Sequence, residues 1–170
     1  MTNTPQLKGA AIIDALKASG IKIIVSVPDI TTSQGLLWPI ARDPFFRHVR
    51  VCKEDEGVSI CAALSYCNQR ALLMIQNTGF FDSINAIRGI AAEYHQPVCM
   101  LIGLQGAEPD IIPDQSPKLS INTVGPMLDL LTIERHWLRE TAEAAAIVPA
   151  INKAYATSEP VAFVVGRSPA

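Results

Sequence analysis

Short apolar runs alternate with amphipathic stretches along the whole chain. Five of the runs are rich in β-branched residues and lack the polar alternation of a half-exposed strand. This pattern is typical of strands that are buried on both faces of a parallel sheet. The runs cover residues 21–27, 49–52, 71–76, 97–103 and 161–165.

The stretches between these runs carry the spacing of amphipathic helices. In the first of them Ala11, Ile12, Ala15 and Leu16 form one apolar stripe, and Gly20 ends the helix. Alternation of strands and helices predicts an α/β fold, with a doubly wound, mostly parallel sheet flanked by helices. We expect a single domain over residues 1–170, with one long irregular loop at 104–122. The predicted helices cover residues 7–19, 32–42, 54–68, 82–94, 125–131 and 141–157.

Composition narrows the possible functions. The net charge is -2 and the sequence has no basic run, so nucleic-acid binding is not indicated. No uninterrupted apolar stretch reaches the roughly eighteen residues of a membrane span. Residues 1–6 lack a signal-peptide pattern, and the four cysteines form no CxxC pair, so a cytoplasmic location is expected.

Polar residues follow four of the predicted strands, at the edge where open α/β sheets bind ligands. They are found at 28–29, 53–57, 76–79 and 103–106. Each group also has a structural explanation. Acidic residues at 54–56 suit the positive end of a helix dipole, Asp29 suits a turn, and Thr78 suits a helix N-cap. The sequence has no GxSxG, GxGxxG, P-loop or HExxH motif.

Two segments resemble those of thiamine-diphosphate-dependent 2-oxoacid decarboxylases. Residues 53–66 read KEDEGVSICAALSY, a glutamate before a small-residue helix and an aromatic ring. Residues 77–103 contain a glycine turn, an asparagine, a Gly-Ile-Ala helix and a proline before an apolar strand. The similarity is greatest to the α subunits of sulfopyruvate decarboxylase and to the matching domain of phosphonopyruvate decarboxylase.

The resemblance implies a pyrimidine-binding domain and assigns roles to residues. Glu56 is ten residues before Tyr66, and it occupies the position of the glutamate that shares a proton with N1′ of the aminopyrimidine. Glu56 and Asp29 are the catalytic candidates. The resemblance predicts cofactor contacts and substrate contacts from a further set of residues: Pro28, Thr78 and Gly79 for the cofactor, Asn77 and Gln115 for the substrate.

The family holds its diphosphate through Mg²⁺ and a Gly-Asp-Gly segment, which this sequence lacks. The resemblance therefore implies a β subunit that carries this segment and the Mg²⁺, with no metal site in this chain. A hetero-oligomer such as α2β2 or larger is expected, acting on a small 2-oxoacid. A thiamine-dependent carboligase subunit and a non-catalytic regulatory subunit remain as alternatives.

Two departures from the family pattern bear on the substrate. Phe80-Phe81 replaces the second glycine of the turn after the third strand, and Gln105-Gly106 stands where sulfopyruvate decarboxylases tend to carry Arg-Gly. A guanidinium suits a sulfonate or phosphonate, so the glutamine weakens the case for such a substrate. The sequence does not identify the 2-oxoacid.

Overall fold

A computed structural model describes residues 6–170 of the chain. Its centre is a sheet of six strands in the order β2-β1-β3-β4-β6-β5, and every neighbouring pair is parallel. The strands are β1 (Ile23–Ser26), β2 (Arg47–Arg50), β3 (Ala71–Gln76), β4 (Cys99–Gly103), β5 (Glu134–Leu138) and β6 (Val161–Val165).

The helices between the strands are α1 (Gly9–Ala18), α2 (Trp38–Arg42), α3 (Glu54–Tyr66), α4 (Asn77–Asp82), α5 (Ile84–Ala86), α6 (Leu119–Asn122), α7 (Val124–Leu130) and α8 (Ile147–Thr157). Two segments with π-helical hydrogen bonding, Ser33–Leu37 and Ile87–Ala92, extend α2 and α5. Short 3₁₀ turns occupy Pro113–Gln115 and Thr141–Ala146. Within residues 6–170, no helix has the length and apolarity needed to cross a bilayer.

Both faces of the sheet are covered by helices. Along β3, Leu72 and Met74 enter the core beneath α1, α2 and α8, whereas Leu73 and Ile75 enter the core beneath α3, the segment from α4 to Ala92, and α7. This division follows from the strand geometry, in which successive side chains point to opposite faces. The doubly wound parallel α/β fold predicted from the sequence is confirmed.

The order of the strands reverses at two places. The chain passes outward from β1 to β2 and then returns past β1 to β3, which makes a first reversal between β1 and β3. It later passes from β4 to the outer strand β5 before β6 fills the gap, which makes a second reversal between β4 and β6. Crevices at such reversals, beyond the carboxyl ends of the strands, are where ligands bind in this class of fold.

Three elements differ from the sequence prediction. Strand β2 covers Arg47–Arg50 rather than residues 49–52, and it is a partly exposed edge strand rather than one buried on both faces. Strand β5 was not predicted, because its sequence ERHWL is polar: it is an edge strand whose first four residues are partly or fully exposed. The helix after β3 starts at Asn77 rather than at residue 82, so the strand runs directly into α4. The polar residues after β3 therefore lie in the first turn of a helix and not in a loop.

Candidate active site

The structure brings most of the predicted site residues to one edge of the sheet. Pro28 and Asp29 follow β1, Glu56 lies in the first turn of α3 just after β2, and Thr78 lies in the first turn of α4. Strands β2, β1 and β3 are neighbours, so these segments are adjacent at the first reversal. Gln115 lies further along the edge, in the 3₁₀ turn of the loop after β4.

Glu56 is exposed at the third position of α3. Its Oε2 accepts hydrogen bonds from the backbone N–H groups of Cys52, at 3.2 Å, and Lys53, at 3.3 Å. These donors would otherwise be unsatisfied at the start of the helix. No hydrogen bond to Oε1 is found within residues 6–170. The helix start thus anchors one carboxylate oxygen of Glu56 and leaves the other open to a ligand.

Glu54 occupies the space above Gly79. A Cβ atom on Gly79 would lie 2.2 Å from Glu54 Cγ and 2.3 Å from its Oε1, which no side chain tolerates without movement of the glutamate. Gly79 is buried and Thr78 is exposed. The glycine therefore lets the first turns of α3 and α4 approach each other, with Glu54 between them.

Asp29 is buried, and its carboxylate accepts hydrogen bonds within the turn that follows β1. Oδ1 accepts from the backbone N–H of Thr32 at 2.8 Å, and Oδ2 accepts from the Thr32 hydroxyl. The Ser33 hydroxyl donates to the Asp29 carbonyl. These contacts fit the structural explanation of Asp29 as the residue that shapes the turn after β1. Its catalytic role stays a prediction.

Asn77 joins three segments of the chain. It is 2% exposed, its Nδ2 donates to the Ser120 carbonyl at 2.8 Å, and its Oδ1 accepts from the Gln105 backbone N–H at 3.2 Å. The side chain thereby ties the start of α4 to both ends of the long loop. Gln115 is exposed in that loop. A substrate contact by Asn77 or Gln115 stays a prediction, and for Asn77 it would compete with these internal bonds.

The aromatic pair after Gly79 has two different environments. Phe80 is fully buried in the core beneath α3, and Phe81 is partly exposed beside it, with 5.4 Å between the ring centroids. Phe80 therefore fills the interior of the domain, and only Phe81 is placed at the surface.

Sequence reasoning missed two features of this edge. Ser26 Oγ lies 2.7 Å from His48 Nε2, which links the end of β1 to β2. Burial lowers the pKa of His48, and the nearby positive charge of Arg50 lowers it further. Register between neighbouring strands creates this pair, and no spacing along the chain would reveal it.

The second missed feature is a shallow cavity of about 410 Å³ beside the end of β1. Its wall includes Pro28, Ile30 and Trp38, and it presents apolar surface next to Asp29. Cavities of about 460 and 420 Å³ lie at the opposite edge of the sheet, around His95. The carboxyl edge is the better candidate, because the ends of parallel strands and the starts of the following helices converge there.

No group of three or more His, Cys, Asp or Glu side chains suited to a metal ion occurs in the part of the chain that the structure describes. The chemically distinctive group at this edge is the carboxylate of Glu56. A carboxylate with one anchored and one open oxygen can share a proton with a nitrogen heterocycle.

Known proteins resemble the chain in sequence and in fold. No family model matches the chain. The chain is 29% identical over 134 residues to the sulfopyruvate decarboxylase subunit alpha of Methanothermobacter thermautotrophicus, covering 79% of each chain. It is 30% identical over 155 residues to the protein of the same name from Methanocaldococcus jannaschii, covering 91% of this chain and 90% of that protein.

The fold also occurs in a solved structure of 2-oxoglutarate:ferredoxin oxidoreductase from Magnetococcus marinus. That match has a TM-score of 0.67 and 13% identity, and it covers 95% of this chain and 29% of the longer one. At this identity the match shows a shared fold, while the sequence relatives show the family. The chain belongs to the family of sulfopyruvate decarboxylase α subunits, the subunits of a carboxy-lyase.

Proposed function

We propose that this chain is the pyrimidine-binding α subunit of a thiamine-diphosphate-dependent decarboxylase of small 2-oxoacids. The observation that carries the proposal is Glu56, an exposed carboxylate at the first reversal of the sheet, in the position expected from the family resemblance. The whole chain, residues 1–170, would act as one such domain, and its location would be cytoplasmic.

The residues at this edge fit the pyrimidine end of the cofactor. The open oxygen of Glu56 would bind the ring nitrogen, and Pro28, Thr78 and Gly79 would approach the ring from the ends of β1 and β3. When bound, thiamine diphosphate supplies the electron sink that lets a 2-oxoacid lose carbon dioxide.

Glu56 has the chemistry that this role requires. Backbone N–H groups of Cys52 and Lys53 fix one oxygen, so the carboxylate is already oriented before a ligand arrives. A charge-assisted hydrogen bond to its open oxygen is worth about 1.5–3 kcal/mol. Glu56 would hold the proton that is shared with the ring. Asp29 is proposed as the second catalytic residue, and Asn77 and Gln115 are proposed as substrate contacts. In Asp29 and Asn77 these roles would compete with the internal bonds.

The proposed partner is a β subunit that holds the diphosphate through Mg²⁺ and a Gly-Asp-Gly segment. Two facts support it. The 170-residue sequence lacks Gly-Asp-Gly, and the relatives that match it over most of their length are named as α subunits. The exposure of Glu56 in this chain also suits a site that a second chain completes. An α2β2 or larger assembly would follow.

The proposal is tested by replacing Glu56 in the reconstituted complex. Glu56→Gln keeps an oxygen that accepts from Cys52 and Lys53 but removes the basic carboxylate, so the fold is retained. We expect cofactor-dependent carbon dioxide release to fall by about 10²-fold or more, in the range of lost acid–base catalysis. Glu54→Gln and Asp55→Asn, in the same turn, are matched controls. In these variants the fall in carbon dioxide release should be less than a tenth of the fall in Glu56→Gln.

The assay uses the chain co-purified with its β subunit and a panel that includes sulfopyruvate, phosphonopyruvate and pyruvate. Products are measured with and without an acceptor aldehyde, which separates a decarboxylase from a carboligase. Unchanged turnover in Glu56→Gln would reject the assignment. An equal loss in Glu54→Gln would move the cofactor contact to that residue.

A further inference from the structure

The second reversal of the sheet carries two arginines at its carboxyl edge. Arg139 directly follows β5, and Arg167 comes two residues after β6. The strands pair in the register Leu138↔Val165, so the two arginines leave neighbouring strand ends. The long loop after β4 passes over them.

Both guanidinium groups bind the same atom. Arg139 Nη2 donates to the Pro109 carbonyl oxygen at 3.2 Å, and Arg167 Nη2 donates to the same oxygen at 2.7 Å. Gly166 makes this convergence possible, because a Cβ there would lie 3.0 Å from Arg139 Cγ. Two cations are therefore held close together on one neutral acceptor.

One further donor on each of the two side chains has no acceptor within residues 6–170. The Nε atoms of Arg139 and Arg167 are buried without a partner, and they are the only buried side-chain nitrogen or oxygen atoms in this state among the described residues. A buried donor without an acceptor costs about 1–3 kcal/mol. Each of the two Nε atoms carries this cost, and both lie in the same small region.

The surrounding acids compensate the two charges poorly. Asp110 Oδ1 lies 3.7 Å from Arg167 Nη2, but the Asp110 side chain is 84% exposed. Glu143 accepts from the backbone N–H groups of Arg139 and Glu140, and Glu108 pairs with Lys118. The region therefore has an excess of partly buried positive charge.

We propose that Arg139 and Arg167 form a binding site for a small oxyanion, a carboxylate, sulfonate or phosphate, which replaces the Pro109 carbonyl. An oxyanion adds the attraction of opposite charges to these hydrogen bonds, and arginine pairs with carboxylate or phosphate through two parallel bonds, which adds energy and geometric specificity. Its several oxygens also match the fork of donors on each guanidinium, Nε included. The exchange would release the loop at Pro109.

This site is separate from Glu56. Glu56 lies in the first turn of α3, which packs on β1 and β3, and two strand spacings of about 4.8 Å separate β3 from β6. Glu56 and the arginine pair are therefore about 10 Å or more apart along the edge. One small acid cannot reach both. The loop that the anion would release begins near Gln105, whose backbone N–H donates to Asn77, so release of the loop would reach the edge that carries Glu56. Binding of the anion does not depend on the proposed activity.

The test measures binding of inorganic sulfate to the full-length chain, with sodium chloride at equal ionic strength as the salt control. Sulfate is expected to raise the melting temperature of the native chain and of Arg88→Gln, an exposed arginine paired with Glu93. Arg139→Gln and Arg167→Gln are expected to lose most of this shift. Acetate, methanesulfonate and phosphate then show which oxyanion binds best.

A second measurement covers the case in which the variants do not fold. In the native ¹⁵N-labelled chain, sulfate should shift the side-chain Nε–H resonances of Arg139 and Arg167 and leave that of Arg88 in place. Equal responses to sulfate and chloride, or Nε–H resonances that do not move at saturating sulfate, would overturn the proposal. The two arginines would then serve only to hold the loop.

Discussion

The two reversals of strand order differ in charge and in how their polar groups are satisfied. At the first, between β1 and β3, the candidate ligand-binding groups are acidic or neutral. Asp29 and Asn77 are buried with their hydrogen bonds made, and Glu56 is exposed with one oxygen open. At the second, between β4 and β6, the groups are basic, and Arg139 and Arg167 are partly buried with one donor each unused.

The difference shows two ways of preparing a surface for a ligand. At the first reversal most of the polar groups are bonded within the chain and make the edge rigid, and one carboxylate oxygen of Glu56 stays open for the proposed cofactor. At the second reversal the cations are held by a replaceable backbone carbonyl. The following predictions test whether each group has the structural or the ligand-binding role that this comparison assigns to it.

The largest expected effect is from Asn77→Ala. The change removes an acceptor for the Gln105 N–H and a donor to the Ser120 carbonyl from a side chain that is 2% exposed. We expect the free energy of unfolding to fall by about 1–3 kcal/mol, the cost of buried groups left unpaired. Urea denaturation measures it. Asn85→Ala, at an exposed position, should change the free energy by less than about 0.5 kcal/mol.

The same variant separates the two roles of Asn77. If the side chain is a structural tie, the folded fraction of Asn77→Ala keeps the KM of the reconstituted enzyme. A large rise of KM with unchanged stability would instead show that the sequence prediction of a substrate contact is correct and that the comparison misplaces this residue.

Several features of this edge were predictable from the sequence and others were not. The runs that form β1, β3, β4 and β6 are mostly apolar, so their burial on both faces could be predicted from the residues themselves. Glu56 was assigned through the family resemblance of residues 53–66, and its role stays a prediction. The edge strand β5 was missed, since its polar residues do not follow the pattern of a buried strand.

Tertiary pairing decides the remaining features. The Ser26–His48 contact depends on strand register, and the meeting of Arg139 and Arg167 depends on β6 entering between β4 and β5. From its sequence context Asp29 suits either a turn or a ligand, and its bonds to Thr32, which favour the turn, become visible only in the fold. Contacts between distant segments leave no local pattern.

A smaller effect is expected from Gly57→Ala, which tests how closely the first turn of α3, which carries Glu56, packs on the sheet. A Cβ on Gly57 would lie 2.5 Å from Leu73 Cδ1 and 3.4 Å from Val25 Cγ1, on the two strands of the first reversal. Overpacking of this kind costs about 1–3 kcal/mol, and the better helix propensity of alanine offsets up to about 1 kcal/mol. We expect a net loss of about 1–2 kcal/mol by urea denaturation.

Gly89→Ala is the matched control for this change. Gly89 also lies in a helical segment, but a Cβ there would meet nothing within 4 Å, so alanine should leave stability unchanged or raise it slightly. A Gly57→Ala protein as stable as Gly89→Ala would mean that α3 moves freely on the sheet. Glu56 would then not be held in a preset position, which would weaken the contrast between a rigid first reversal and a replaceable second one.

The smallest expected effect is a pH dependence that originates at His48, the base beneath the acidic edge. Burial and then Arg50 lower the pKa of His48 below its ordinary value of 6.5. Below pH 6.5 the unfolded chain therefore binds more protons at this position than the folded chain does, and stability falls as the pH is lowered from 6.5 toward the depressed pKa. Above pH 6.5 both states are neutral and the contribution of His48 is complete. Lys17 holds the pKa of Asp43 below its usual value, so that carboxylate does not titrate in the same window.

In His48→Gln, which keeps a polar group facing Ser26, the loss of stability between pH 7.5 and pH 5.5 in urea denaturation should be smaller than in the native chain. Identical pH profiles would show that His48 is solvated in the folded state, and the Ser26–His48 link would no longer count among the satisfied contacts of the first reversal.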